Sequence, residues 1–153
     1  MGIFNAALER FLLYWPPYLL PRFSIYMLGN AKIFSSFSVP DLAAAERFYG
    51  ETLGLPVKKT DEGLQLGDSG AIFIYPSLRN KPADFTVLNL VVDDVDASVD
   101  ELAQKGVSME QYDMEEIKTD EKGVARGMSR GPEAIAWFKD PAGNIISILE
   151  QKK

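Results

Sequence analysis

The 153-residue sequence contains neither cysteine nor histidine. Without cysteine the chain forms no disulfide and offers no thiol nucleophile, which is compatible with the cytoplasmic location that we expect. Without histidine it lacks the imidazole ligand of most zinc and non-haem iron centres, and it lacks the general base of a Ser-His-Asp triad. Only a cluster of oxygen ligands could therefore hold a metal ion.

Clustered basic residues are also missing. Lys and Arg number 16 against 22 Asp and Glu, which gives a net charge of -6. Because a nucleic-acid surface neutralises phosphates with grouped cations, we expect no nucleic-acid partner. With 46% hydrophobic residues the chain is long enough to form one domain around a substantial core.

Residues 1–31 form an apolar N-terminal extension. Apolar side chains recur at helical spacing as far as Pro16 and Pro17, but the run is too short and interrupted to span a bilayer. It also lacks the charge pattern and cleavage site of a signal peptide. Three interpretations stay open: an amphipathic helix docked on the domain or a partner, which we favour; a membrane contact through residues 1–26; or residues upstream of a natural start at Met27.

The remaining chain contains the same unit twice. A strand-like run ends at Pro40, which lacks the N–H that a ladder needs, and Asp41 then caps a helix that ends at Gly54. The same pattern returns 53 positions later, where Asp94 caps a helix that ends at Gly106. The sequence therefore predicts a strand, a sharp corner, an amphipathic helix and a following strand in each copy.

A second correspondence, offset by 73 residues, links the ends of the two copies. Residues 66–75 and 139–148 each combine a turn with a β-rich run. The pattern predicts β-α-β-β-β repeats at 32–76 and 85–151, with residues 107–112 as the second strand of the later copy. The larger offset implies about twenty extra residues after that strand, and we assign them to an insertion at about 113–131.

These motifs resemble those of the vicinal oxygen chelate superfamily, which includes glyoxalase I, extradiol dioxygenases and the bleomycin and fosfomycin resistance proteins. The resemblance covers residues 32–151 and rests on four motifs: Val39-Pro-Asp-Leu42, Phe48-Tyr49, Leu53-Gly-Leu55 and Asp140-Pro-Ala-Gly-Asn144. It implies an α+β fold in which two β-α-β-β-β repeats place curled mixed sheets around a shared cavity. It also implies a homodimer, in which family members sometimes exchange copies between chains.

In the metal-dependent members of that family, four ligands come from the first and last strands of the two copies. The corresponding residues here are Phe34, Ile74, Val87 and Ser147. Three of them are apolar, and a serine hydroxyl alone does not hold a catalytic divalent cation. We therefore predict no metal ligand, no cofactor and no catalytic residue.

Strand alternation predicts which side chains face the cavity, because residues two apart point to the same side. The resulting surface is apolar with a few small polar groups, as small-ligand sites commonly are. A packed core with a few hydrogen-bonded hydroxyls has the same pattern, and Trp137 fits either ligand stacking or ordinary packing. The predicted ligand-binding residues are Phe34, Ser36, Ile74, Val87, Asn89, Trp137 and Ser147.

The leading functional hypothesis is a metal-independent, glyoxalase/bleomycin-resistance-like protein. It would bind a small, largely apolar or aromatic molecule between the repeats, oriented by Ser36, Asn89 and Ser147. One alternative is a glyoxalase-like lyase or isomerase, or a dioxygenase relative, which would need an acid–base residue facing the cavity. The other is a dimeric interaction protein that binds no ligand.

Overall fold

A computed structural model of the chain describes residues 31–129 and 131–152. The elements described below belong to one compact unit that begins at Ile33. The three interpretations of residues 1–26 concern residues outside the described ranges. Within those ranges, no helix has the length and apolar character that crossing a membrane requires.

The first repeat forms sheet A, a four-stranded sheet with the order β1-β4-β3-β2. Strands β1 and β4 are parallel, and the other pairs are antiparallel. The predicted corner is present, since the Asp41 carboxylate accepts from the Ala44 amide at 3.0 Å and so caps the helix. The elements are β1 (Ser35–Val39), α1 (Leu42–Arg47), a π-helical turn (Phe48–Thr52), β2 (Val57–Lys59), β3 (Leu64–Leu66) and β4 (Ile72–Pro76).

The second repeat forms sheet B, with the corresponding order β5-β8-β7-β6. Strands β5 and β8 are parallel, as β1 and β4 are in the first repeat. The Asp94 carboxylate caps the second helix by accepting from the Ala97 amide at 2.9 Å. The predicted doubling of the β-α-β-β-β unit is thus confirmed. The elements are β5 (Thr86–Val91), α2 (Val95–Gln104), β6 (Val124–Arg126), β7 (Ala134–Lys139) and β8 (Ile145–Glu150).

The prediction of a second strand at residues 107–112 is wrong. In that stretch only Met109 forms a bridge, to Phe138, while β6 takes the ladder position beside β7. A tight turn precedes β6, in which the Asp120 carboxylate accepts from the amide of Val124 at 2.9 Å. Gly123 approaches Met109 so closely that a Cβ atom would lie 2.5 Å from the Met109 side chain. The extra residues therefore precede the second strand, and β6 lies inside the predicted insertion.

Sheets A and B share one hydrophobic core through their helix-bearing sides. The Phe48 ring packs edge-on against Tyr49 at 5.4 Å and lies 6.3 Å from Phe138 of β7. The face of each sheet opposite its helix, called here the outer face, lies outside this core. Strands pair within each sheet, and among the described residues no strand of sheet A pairs with a strand of sheet B. The core contains Phe37, Val39, Leu64 and Ile74 from sheet A, and Leu88, Phe138, Ile146 and Ile148 from sheet B.

A buried polar network ties the two repeats together. The Tyr49 hydroxyl donates to the Asp140 carboxylate at 2.9 Å, and the Asn144 side-chain amide donates to the same oxygen at 2.9 Å and to the Ser38 carbonyl at 3.2 Å. The other Asp140 oxygen accepts from the backbone amides of Ala142 and Asn144. Burial, followed by the negative charge of Asp140 and the hydrogen bond to it, raises the pKa of the Tyr49 hydroxyl far above its usual range.

We expect Tyr49→Phe to lower the free energy of unfolding by about 1–3 kcal/mol at neutral pH, because the buried Asp140 carboxylate loses a donor. Since folding raises the pKa of Tyr49, the wild type also loses stability once pH exceeds the unfolded value of about 10, by about 1.4 kcal/mol per pH unit. The variant lacks this contribution. Urea denaturation at neutral and strongly alkaline pH should therefore show that the difference in free energy of unfolding between wild type and variant becomes smaller at high pH.

Tyr112→Phe is the matched control at neutral pH. The Tyr112 hydroxyl makes no hydrogen bond to any residue in the described ranges, so this change should alter stability by less than about 0.5 kcal/mol. Equal losses in the two variants would contradict the proposed role of Tyr49, and so would a difference that does not change with pH.

Candidate functional site

Three predicted site residues form a row across the outer face of sheet B. Asn89 of β5 and Trp137 of β7 are both register partners of Ser147 on the central strand β8. Ser147 is fully buried, and its hydroxyl donates to the Asn89 side-chain oxygen at 2.6 Å. Asn89 is exposed, whereas Trp137 keeps only 8% of its surface accessible. The structure thus brings Asn89, Ser147 and Trp137 together on one sheet face.

The adjoining row on the same face is apolar. Val91, Leu149 and Ile135 occupy consecutive register positions across β5, β8 and β7. Val91 at the sheet edge is 62% exposed, while Ile135 is buried. The outer face of sheet B is therefore a largely apolar surface that contains one oriented polar pair.

Part of this face is covered by the chain segment between α2 and β6. The Tyr112 ring meets the Trp137 ring edge to face, with centroids 5.2 Å apart. Tyr112 and Ile117 of this segment, together with Met128 after β6, pack on a small second core formed by Ala125, Ile135 and Trp137. Burial and the neighbouring Glu110 charge raise the pKa of Tyr112. Tyr112 and Ile117 are not among the predicted site residues, and the available signal for Tyr112 was an aromatic residue beside a charged stretch.

Hydrogen bonds and ion pairs hold this covering segment in place. The Tyr112 amide donates to the Thr119 hydroxyl at 3.0 Å, and the Thr119 amide donates to the Tyr112 carbonyl at 3.0 Å. Arg126 of β6 pairs with both Asp120 and Asp96, and Asp96 belongs to α2. The Arg126 charge is therefore engaged in joining this segment to the helix.

The prediction that Ile74 lines the cavity is wrong. Ile74 is fully buried in the main core, where it is the register partner of Phe37. Phe73 is the register partner of Ser36 on the outer face of sheet A. Tyr75, two residues further along β4, lies on the same face. Assigning Ile74 and Ser36 to one face was a one-residue error, and such an error moves a side chain to the opposite face.

The prediction for Val87 is also wrong. A β-bulge lies between Thr86 and Leu88, so alternation is interrupted there and Val87 packs against the main core. Phe34 and Ser36 are exposed and follow the alternation of the outer face of sheet A. No hydrogen bond between described residues connects that face with the outer face of sheet B. One chain therefore presents the predicted site residues on two separate surfaces.

The residues at the family's metal positions do not fit a divalent cation. Within residues 31–129 and 131–152, no group of three or more His, Cys, Asp or Glu side chains could hold a metal ion. Phe34 offers no donor atom, Ile74 and Val87 pack in the core, and the Ser147 hydroxyl is engaged with Asn89. An apolar residue or a single neutral hydroxyl supplies too little charge to replace the hydration of such an ion.

We expect Tyr112→Ala to expose Trp137 to water. In a Trp15→Phe background, where Trp137 is the remaining tryptophan, its fluorescence emission should shift to longer wavelength and become easier to quench with acrylamide. Loss of the aromatic contact should also lower the free energy of unfolding by about 1–3 kcal/mol. Leu78→Ala, at a residue that is 98% exposed in the segment between the two sheets, is the control and should leave the emission unchanged. Identical spectra for the two variants would contradict the covering role of Tyr112.

Comparisons with known proteins agree with this architecture. The model of the Glyoxalase/Bleomycin resistance protein/Dioxygenase superfamily matches residues 34–148. TnmS3, an antibiotic binding protein from Streptomyces sp. CB03234, is 25% identical with a TM-score of 0.52, over 80% of this chain and 98% of that chain. A glyoxalase/bleomycin resistance protein/dioxygenase from Alicyclobacillus acidocaldarius shares the fold at 16% identity, with a TM-score of 0.55 over 80% and 92% of the chains. Curated protein sequences give no significant match.

Proposed function

Because the chain belongs to the glyoxalase/bleomycin resistance protein/dioxygenase superfamily, we propose that it binds a small, largely apolar or aromatic molecule and does so without a metal. The observation that carries the proposal is the row of Asn89, Ser147 and Trp137 on an otherwise apolar sheet face. Apolar surfaces with a few oriented polar groups are typical of small-ligand sites. The similarity to TnmS3, an antibiotic binding protein, supports the same class of function.

The chemistry of the available donors supports the metal-free part of the proposal. The family's metal positions hold apolar residues and one serine, and that serine hydroxyl is used by Asn89. A ligand at this surface would therefore be held by burial and hydrogen bonds.

We further propose that a second copy of the chain completes the site. Each outer face exposes large apolar side chains: Phe34 is 64% and Tyr75 41% exposed on sheet A, and Val91 is 62% exposed on sheet B. Exposed apolar groups of this kind mark contact surfaces. Within one chain, the main core joins the helix-bearing sides of the two sheets, so their outer faces remain for contact with a partner. In the proposed dimer, sheet A of one protomer would face sheet B of its partner across the ligand.

A charge placed on either outer face should weaken the dimer. Phe34→Lys and Val91→Lys should each raise the dimer dissociation constant at least tenfold, about 1.4 kcal/mol, because the ammonium group would lose water in an apolar interface. Sedimentation equilibrium measures this constant. Leu78→Lys is the matched control, since Leu78 is 98% exposed in the segment between the two sheets and its change should have no effect. A monomeric wild type would refute the shared site.

Changes to the polar pair should weaken ligand binding. A thermal-shift screen of antibiotics and apolar metabolites should yield hits whose dissociation constants rise about threefold to tenfold in Asn89→Leu and Ser147→Val, as expected for loss of one or two neutral hydrogen bonds. Ser108→Val changes an exposed serine outside the site and serves as the control.

Two results would contradict the proposed function. Hits that bind Asn89→Leu and Ser147→Val as tightly as the wild type would remove the proposed site. A stoichiometric divalent ion in protein purified without chelator, together with ligand binding that depends on that ion, would remove the metal-free part of the proposal.

A further inference from the structure

The hydrogen bond between Ser147 and Asn89 has a definite direction. Ser147 is fully buried, and its hydroxyl oxygen lies 2.6 Å from the Asn89 side chain. A separation of 2.6 Å is ordinary for O–H···O hydrogen bonds and shorter than N–H···O hydrogen bonds usually are. The serine hydroxyl therefore donates to the amide oxygen of Asn89, and that oxygen is the end of the amide that is engaged.

This direction determines which end of the Asn89 amide is available to a ligand. A carboxamide has one acceptor end and one donor end, and the acceptor end is the one used by Ser147. The Asn89 amide nitrogen, with two N–H groups, makes no hydrogen bond to another residue in the described ranges. Because Asn89 is exposed, this nitrogen is available at the outer face of sheet B.

The indole of Trp137 adds a second donor to the same row. Its ring nitrogen can donate but cannot accept, and it makes no hydrogen bond within the described part of the chain. No fully enclosed side-chain nitrogen or oxygen there lacks a partner, so the indole N–H keeps some contact with solvent although most of the Trp137 side chain is buried. The adjoining row of Val91, Leu149 and Ile135 adds neither donors nor acceptors.

We infer that the site selects molecules that carry a hydrogen-bond acceptor, such as a carbonyl oxygen, on an apolar body. The row offers amide and indole N–H groups, while the acceptor atoms of Asn89 and Ser147 are used by each other. A ligand that has only donors would leave these N–H groups without a partner once water is displaced. The inference rests on the proposed function, which by itself specifies only a small apolar or aromatic ligand.

Three bicyclic aromatic probes of similar size test the inference on the 153-residue chain. Chromone carries a carbonyl acceptor and no donor, indole carries a donor and no acceptor of comparable strength, and naphthalene carries neither. NMR titration should show chromone binding the wild type about threefold to tenfold more tightly than either of the others, with shifts at Asn89 and Trp137. Asn89→Asp presents an acceptor in place of the donor and should favour indole.

Two further variants separate hydrogen bonding from apolar contact. Asn89→Leu should bind all three probes with little preference among them. Ser147→Ala releases the amide so that either end can face the ligand, and it should reduce the preference for chromone without reversing it. Spectra of the free variants show whether each is folded.

The outcomes distinguish this inference from the proposed function. Equal affinity for the three probes in the wild type would overturn the inference and leave the proposed function standing. A chromone preference that persists in both Asn89 variants would also overturn it, because the donor would then lie elsewhere. Absence of chromone binding would overturn the inference alone, whereas probe-induced shifts that avoid Asn89 and Trp137 would overturn the proposed site and the inference with it.

Discussion

The buried carboxylate of Asp140 is the group on which the arrangement of the two repeats depends. It is only 4% exposed, yet it belongs to a turn of the second repeat and accepts a hydrogen bond from Tyr49 of the first. Burying a carboxylate is costly unless hydrogen bonds replace its water. Here the Tyr49 hydroxyl, the Asn144 amide and two backbone N–H groups do so. The donors in residues 142–144 belong to the same turn as Asp140, whereas the bond from Tyr49 joins the two repeats.

That packing decides which surfaces remain for function. Once Phe48, Tyr49 and Phe138 fill the space between the repeats, the outer faces are the surfaces of the sheets that remain outside the core. On sheet B, the covering segment around Tyr112 buries the part of that face next to Trp137, while Asn89 at the opposite edge stays accessible. The site is therefore shaped by the sheet, which fixes the row of residues, and by the inserted segment, which limits access to it.

The features that the sequence predicts correctly depend on neighbouring residues. Pro40 and Asp41 specify the corner and the helix start without help from the rest of the chain, and Asp94 repeats the same capping geometry. The doubled fold follows from those local signals and from their spacing, and so it could be predicted. Asn89 and Ser147 could be assigned to one sheet face by counting residues, because alternation is regular in the parts of β5 and β8 that contain them.

The features that the sequence does not predict depend on pairing between distant segments. Ile74 was placed on the wrong face because a strand has a period of two, so a count that is off by one residue exchanges the faces. Val87 was misplaced by a bulge that no single residue type announces. Residues 107–112 alternate like a strand, but β6 occupies the ladder position beside β7 because the turn at Gly123 directs it there.

The proposed recognition of a molecule without a cation places a strict demand on the geometry of Asn89. A metal site attracts oxygen ligands through charge, which acts over several ångströms and tolerates modest displacement. A neutral amide acts only at hydrogen-bond distance and only in the direction of its N–H groups. The orientation of Asn89 must therefore be fixed before the ligand arrives, and a fully buried serine on the central strand is well placed to fix it. In the function proposed above, Ser147 would be a positioning residue and Asn89 the group that contacts the ligand.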